Sequence, residues 1–218
     1  MTLVKICGIS DPRHALAAAE TGADMIGLNF YPESRRYVSS ELAREVRDAV
    51  EGTPLKIVGL FVNEKPDRIN RIADEVGLDI IQLSGDETPE IAADIERPVI
   101  GTIRVDSSGR SDEDGQFRRW QQAEPALWAV LLDAHVPGMY GGTGTVADWF
   151  VAADIARRGR IVLAGGLRSD NVAAAIRAVK PFAVDVSSGV ETNGAKDADK
   201  IRAFIHAAKE TPITAGTT

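Results

Sequence analysis

At 218 residues, with 44% hydrophobic and 26% charged side chains, the chain can bury a sizeable core and has the composition of one ordinary globular domain. A net charge of −7 with no offsetting basic stretch argues against nucleic acid as a partner, and no apolar run approaches the ~20 residues of a membrane span. The single cysteine cannot form an internal disulfide and fits a reducing, cytoplasmic setting. The opening segment, Met1 to Ser10, passes straight into a strand pattern without a secretory apolar core.

Short β-branched runs then alternate with Ala-rich amphipathic stretches along the chain. A strand near Leu3 leads to a helix over Asp11–Thr21, opened by the Asp11-Pro12 cap. Strands near Asp24, Leu55 and Asp79 are followed by helical patterns over Ser39–Glu51, Lys65–Val76 and Thr88–Glu96. A strand near Pro98 precedes the weakest helical pattern, Asp112–Ala123, because Ser107–Gly115 reads as a loop. Strands near Leu127, Arg160 and Phe182 alternate with helices over Ala147–Ala156, Ser169–Lys180 and Lys196–Ala208. Eight β/α units in this length predict a single closed (β/α)8 barrel of the TIM type over residues 1–210, with 211–218 as a short tail. A doubly wound sheet is disfavoured because Cys7-Gly8-Ile9-Ser10 after the first strand is not a dinucleotide-binding turn.

Glycine-rich turns follow strands six, seven and eight instead. Leu163 to Leu167 carries Gly165-Gly166, and the eighth strand ends Asp185-Val186-Ser187-Ser188-Gly189. Glycines let backbone N–H groups approach an anion, and serines add hydroxyl donors. The turns after strands seven and eight are the usual phosphate site of such barrels. A single Gly-Gly could be a tight turn and nothing more, but two such turns side by side favour a phosphate grip. Tyr140 to Gly144 resembles a flexible lid that closes over substrate, or equally a simple surface loop.

Strand one ends in Lys5-Ile6-Cys7 and strand six in Leu131-Leu132-Asp133. Such ends face the active site of a barrel, so Cys7 and Asp133 form a candidate base and acid, each needing a shifted pKa to work near neutrality. A lone Cys is otherwise commonly a small buried hydrophobe, and Asp133 could cap a loop. Arg36, after strand two, could receive a substrate carboxylate through its guanidinium fork or be a solvated loop residue. Period-two alternation puts Lys5 and Asp185 on inward faces of adjoining strands, where they are expected to pair within ~6 Å. His14, His135 and His206 are scattered, so no metal site is predicted.

Together these segments resemble the phosphoribosylanthranilate isomerases of tryptophan biosynthesis. The matching stretches are Val4 to Gly8, Phe30 to Tyr37, Gly59 to Asn63, Gln82 to Glu87, Leu131 to Asp133, Gly141 to Gly144, Leu163 to Leu167, Asn171-Val172, Val184 to Glu191 and Lys196-Asp197. The resemblance implies an Amadori rearrangement of a small phosphorylated sugar–anthranilate, with Asp133 as general acid, Cys7 as general base and no cofactor. It further implies that Arg36 meets the anthranilate carboxylate and that Asp185 lies in the active site. Gly142, Gly165, Gly166, Ser187, Ser188 and Gly189 would help to bind the substrate. Monomer and homodimer both remain open.

One departure stands out. The family usually has His where this chain has Ser84, so altered substrate affinity is expected more than lost activity. Where the family often reads Ser-Pro-Arg, this chain reads Ser34-Arg35-Arg36, with the matching arginine kept. The related barrel isomerases of histidine biosynthesis carry an aspartate at the end of strand one, and Cys7 therefore favours the anthranilate substrate. A non-catalytic phosphometabolite-binding barrel would need neither Cys7 nor Asp133.

Overall fold

The structure, a computed structural model, describes residues 1–104, 112–123, 126–133 and 146–212, the side chains of 146–148 excepted. Eight parallel strands close into a barrel in chain order. They are β1 (Leu3–Cys7), β2 (Met25–Asn29), β3 (Lys56–Phe61), β4 (Ile80–Leu83), β5 (Val99–Arg104), β6 (Leu127–Asp133), β7 (Ile161–Ala164) and β8 (Ala183–Val186). The ring shuts where β1 pairs with β8, in a register that sets Lys5 beside Asp185. The helices are α1 (Pro12–Thr21), α2 (Ser40–Ala49), α3 (Pro66–Val76), α4 (Glu113–Gln121), α5 (Val146–Ala156), α6 (Val172–Val179) and α7 (Ala198–Lys209). Among the described residues, no helix is long and apolar enough to cross a membrane.

Strand alternation produces two cores, because successive side chains point to opposite faces. Outward residues such as Val4, Ile6, Ile26, Leu28, Val184 and Val186 pack under the helices. Inward residues including Met25, Val58, Ile80, Ile100, Leu131 and Val162 fill the barrel. The outer contact is close at β5, where Gly101 exists because any Cβ would overlap the indole of Trp120 on α4.

Three helical expectations need correction, and one weak expectation is met. The segment between β4 and β5 is a 3-10 turn, Pro89–Asp94, and not a helix over Thr88–Glu96. Its chain is already extended at Ile95, with φ −98° and ψ 126°, and Pro98 disfavours helix at the residue before it. The weakest helical expectation, Asp112–Ala123, is met by α4 from Glu113, because the Asp112 carboxylate accepts from Gly115 N at 2.8 Å and caps the first turn. Helix α6 starts at Val172 and not near Ser169, since Asn171 is committed to the preceding turn. The last helix begins at Ala198. Lys196 instead belongs to a two-residue strand, β10 (Ala195–Lys196), paired antiparallel with β9 (Glu191–Thr192).

Candidate active site

The C-terminal ends of the strands open into a pocket of about 700 Å³. Cys7, Arg36, Asp133, Gly165, Gly166, Asp185, Ser187, Ser188 and Gly189 all line it. Every predicted site residue that is described therefore reaches one cavity. Gly142, His135 and the lid expected over Tyr140 to Gly144 lie outside the described residues.

Cys7 is the last residue of β1 and only 7% exposed, yet it borders the cavity. Two positions back on the same inward face, Lys5 is completely buried and donates to Asp185 Oδ1 at 3.0 Å. The expected pair thus forms. A Cβ on Gly27 of β2 would stand 3.0 Å from the Cys7 sulfur and 3.1 Å from Lys5 Nζ, so the absent side chain leaves room for both groups. Burial works against the Lys5 ammonium, but Asp185 and Cys7 outweigh it and hold its pKa above the ordinary lysine value. Burial pushes the Cys7 thiol up, while Lys5 pulls it part of the way back.

Asp133 ends β6, in register with Arg104 on β5 and Ala164 on β7. The turn after β7 passes through two left-handed residues, Gly165 with φ 88° and Gly166 with φ 61°, a conformation that only glycine adopts without strain. Asn171 holds this turn: its side chain donates to Gly166 O at 3.0 Å and accepts from Arg168 N at 2.8 Å. After β8, Ser188–Val190 forms a 3-10 turn that lies directly on the β7 turn. Gly189 makes that contact possible, since any Cβ there would overlap the Leu167 carbonyl. The two glycine turns are thus one packed platform with backbone and hydroxyl groups facing the cavity.

Arg36 is not a solvated loop residue. Its Nε donates to Glu191 Oε1 at 2.6 Å and its Nη2 to Glu191 Oε2 at 3.1 Å. Asn29 at the end of β2 donates to Ser34 Oγ, and Arg36 N donates to the same hydroxyl, each at 3.1 Å. On the opposite wall, Gln82 Nε2 donates to Ser84 Oγ at 2.9 Å, and Ser84 lies 3.3 Å from the Thr102 hydroxyl. Ser84 therefore joins a polar row along β4 and β5 where a histidine was the family expectation. Among the described residues, Gln82 Oε1 has no hydrogen-bond partner.

Sequence reasoning assigned no site role to Gln82, which lines the cavity, or to Glu191, Lys196 and Asn171, which brace its lining from behind. For Glu191 and Lys196 a local signal existed. Asn193-Gly194 between them is a strong hairpin signature, and a hairpin sets its flanking residues opposite each other. Gln82 had only its inward parity to mark it.

Residues 4–207 match the family model described as N-(5'-phosphoribosyl)anthranilate (PRA) isomerase. The chain belongs to that family. A relative from Roseiflexus sp. strain RS-1 with the same function in its name is 50% identical over 215 residues, spanning 96% of this chain and 98% of its own. The crystal structure of phosphoribosyl anthranilate isomerase from Thermotoga maritima superposes with a TM-score of 0.85 at 41% identity, covering 96% of this chain and 99% of that one. A further isomerase structure, solved with reduced 1-(o-carboxyphenylamino)-1-deoxyribulose 5-phosphate, has a TM-score of 0.79 at 39% identity, with coverage of 96% and 99%. The isomerase family thus shares the whole barrel with this chain, from β1 into α7.

Proposed function

We propose that this pocket converts N-(5'-phosphoribosyl)anthranilate to 1-(2-carboxyphenylamino)-1-deoxyribulose 5-phosphate, the tryptophan-biosynthetic reaction of the family, with Asp133 as general acid and Cys7 as general base. The observation that carries this reading is that the β1 thiol, the β6 carboxyl, Arg36 and the β7–β8 platform all line one cavity. The phosphate rests on the platform, where the backbone of Gly165 and Gly166 and the hydroxyls of Ser187 and Ser188 receive an anion. Arg36 meets the aryl carboxylate.

The ribose then lies between acid and base. Asp133 gives a proton to the ring oxygen as the bond from that oxygen to C1 breaks, leaving an iminium between C1 and the anthranilate nitrogen. The Cys7 thiolate removes the proton from C2, and the released electron pair forms the C1–C2 double bond of an enolamine. Loss of the C2 hydroxyl proton and protonation at C1 complete the ketone. Atoms and electrons balance within the substrate, so the step needs no redox partner. Lys5 favours the thiolate that this step consumes.

Complementation of a tryptophan auxotroph lacking this isomerase tests the proposal, with purified Cys7→Ser and Asp133→Asn variants assayed alongside. The wild-type chain should restore growth, and each variant should lose about 10²-fold or more in turnover. A folded, expressed wild-type chain that fails to rescue would overturn the function. A near-normal rate for either variant would remove that residue from its role.

A further inference from the structure

Glu191 and Lys196 have no part in the proton transfers, yet both are nearly sealed behind the pocket lining, with side chains 5% and 2% exposed. They oppose each other across β9 and β10 in a register that pairs Lys196 with Glu191. The connecting Asn193 and Gly194 have φ of 52° and 83°, the two positive angles that a type I′ turn requires. Backbone geometry therefore sets this juxtaposition, and the 2.9 Å ion pair follows from it.

Each member reaches a different part of the wall. The Glu191 carboxylate accepts from Lys196 Nζ, from Nε and Nη2 of Arg36, and from Arg35 Nη2 at 2.6 Å. Its two bonds to Arg36 take one edge of the guanidinium and leave the Nη1–Nη2 edge for another planar acceptor. The Arg36 stem is also fixed from below, since any Cβ on Gly8 would overlap its Cδ. Lys196 Nζ donates to Ser187 O at 2.8 Å and to Ser187 Oγ at 3.3 Å. A hydroxyl that accepts from an ammonium keeps its own proton to donate elsewhere, and Ser187 borders the cavity.

We propose that Glu191 and Lys196 form a strut that fixes the distance between the two anion-binding ends of the pocket, Arg36 for the aryl carboxylate and the Ser187 turn for the phosphate. This rests on the function proposed above and adds a specificity device to it. Only a ligand with both anions at the built-in spacing gains from both ends. The charges agree, since Arg35, Arg36 and Lys196 surround a single carboxylate and leave a positive excess for a doubly anionic ligand. Burial works against the charge of Glu191, but Arg36 and Lys196 outweigh it and keep its carboxyl below the ordinary range.

The test uses the full chain carrying Glu191→Gln, Lys196→Met or Arg36→Met. It measures binding of three probes: reduced 1-(o-carboxyphenylamino)-1-deoxyribulose 5-phosphate, the same compound without its ring carboxylate, and inorganic phosphate. Glu191→Gln should weaken the first probe about tenfold or more, the loss expected for a charge-assisted contact, and leave the other two at wild-type affinity. Its KM should rise while kcat is retained. In an Arg36→Met background the same change should cost nothing further. Lys196→Met should weaken all three probes. Glu191→Asp keeps the charge on a shorter arm and guards against a folding defect: it should melt like wild type and still lose affinity for the first probe alone. Equal weakening of all probes by Glu191→Gln, or none, would overturn the strut. A wild-type chain that neither turns over substrate nor binds the first probe would instead sink the function on which the strut rests.

Discussion

Lys5 is a fully buried ammonium whose nearest anion, Asp185, stands 3.0 Å away. Removing one partner of a buried pair leaves an uncompensated charge, which costs about 3–5 kcal/mol. Lys5→Met should therefore destabilise the barrel by that order in chemical denaturation, and Lys5→Met with Asp185→Asn should recover part of the loss. The thiol provides a second readout. Burial already raises Cys7 and Lys5 is the main group pulling it down, with Lys196 helping and Asp185 opposing. Without Lys5, the midpoint of iodoacetamide alkylation against pH should move upward in single and double variants alike. An unmoved midpoint would disconnect Lys5 from Cys7. At this scale Cys7, Asp133 and Asp185 were legible because strand parity and strand ends are written in local order. For Glu191 the Asn193-Gly194 turn marks only its place opposite Lys196, because its contact with Arg36 spans 155 positions.

At the scale of single elements, caps and turns carry local information that survives into the fold. Helix α1 starts at Pro12 because the Asp11 carboxylate accepts from Arg13 N at 2.8 Å and proline supplies the first helical φ. The Arg13 side chain, more than its backbone or charge, holds the Asp11 pKa at about 2. A depressed carboxyl contributes stability above its ordinary range and loses it as pH falls through the folded value. Asp11→Ala should thus cost about 1 kcal/mol at neutral pH, and the gap between variant and wild type should close as pH approaches 2. A gap that stays constant down to that pH would show that the carboxylate is not the source. The Pro89–Asp94 turn is the converse case. Its apolar spacing suits a helix, yet the chain must become extended before Pro98 to enter β5.

For the molecule as a whole, the pocket is assembled from residues on all eight barrel strands together with the loop after β2. None of its halves exists apart from barrel closure, which β1 and β8 complete through four paired positions. A ligand that needs both the Arg36 side and the β7–β8 platform binds only the closed barrel, so its affinity adds to folding stability. At about 100 times its Kd, the reduced product analogue should stabilise the chain by about 2.7 kcal/mol, read as a rise in melting temperature. No shift at that concentration would mean that the free pocket is not the state that binds.

The eightfold strand–helix alternation, the inward parity of Lys5, Cys7 and Asp185 and the paired glycine turns were all determined by the sequence. Each depends on a period or a turn preference that acts over a few residues, and the pair of glycine turns after β7 and β8 was readable for that reason. Only the tertiary structure decided how the turns work together. Gly189 exists to let the β8 turn lie on the Leu167 carbonyl, and Arg36 is aimed by a carboxylate from the far end of the chain. Contacts of that kind arise when closure brings distant segments to one rim. No local pattern specifies them, because their energies appear only after the barrel is shut.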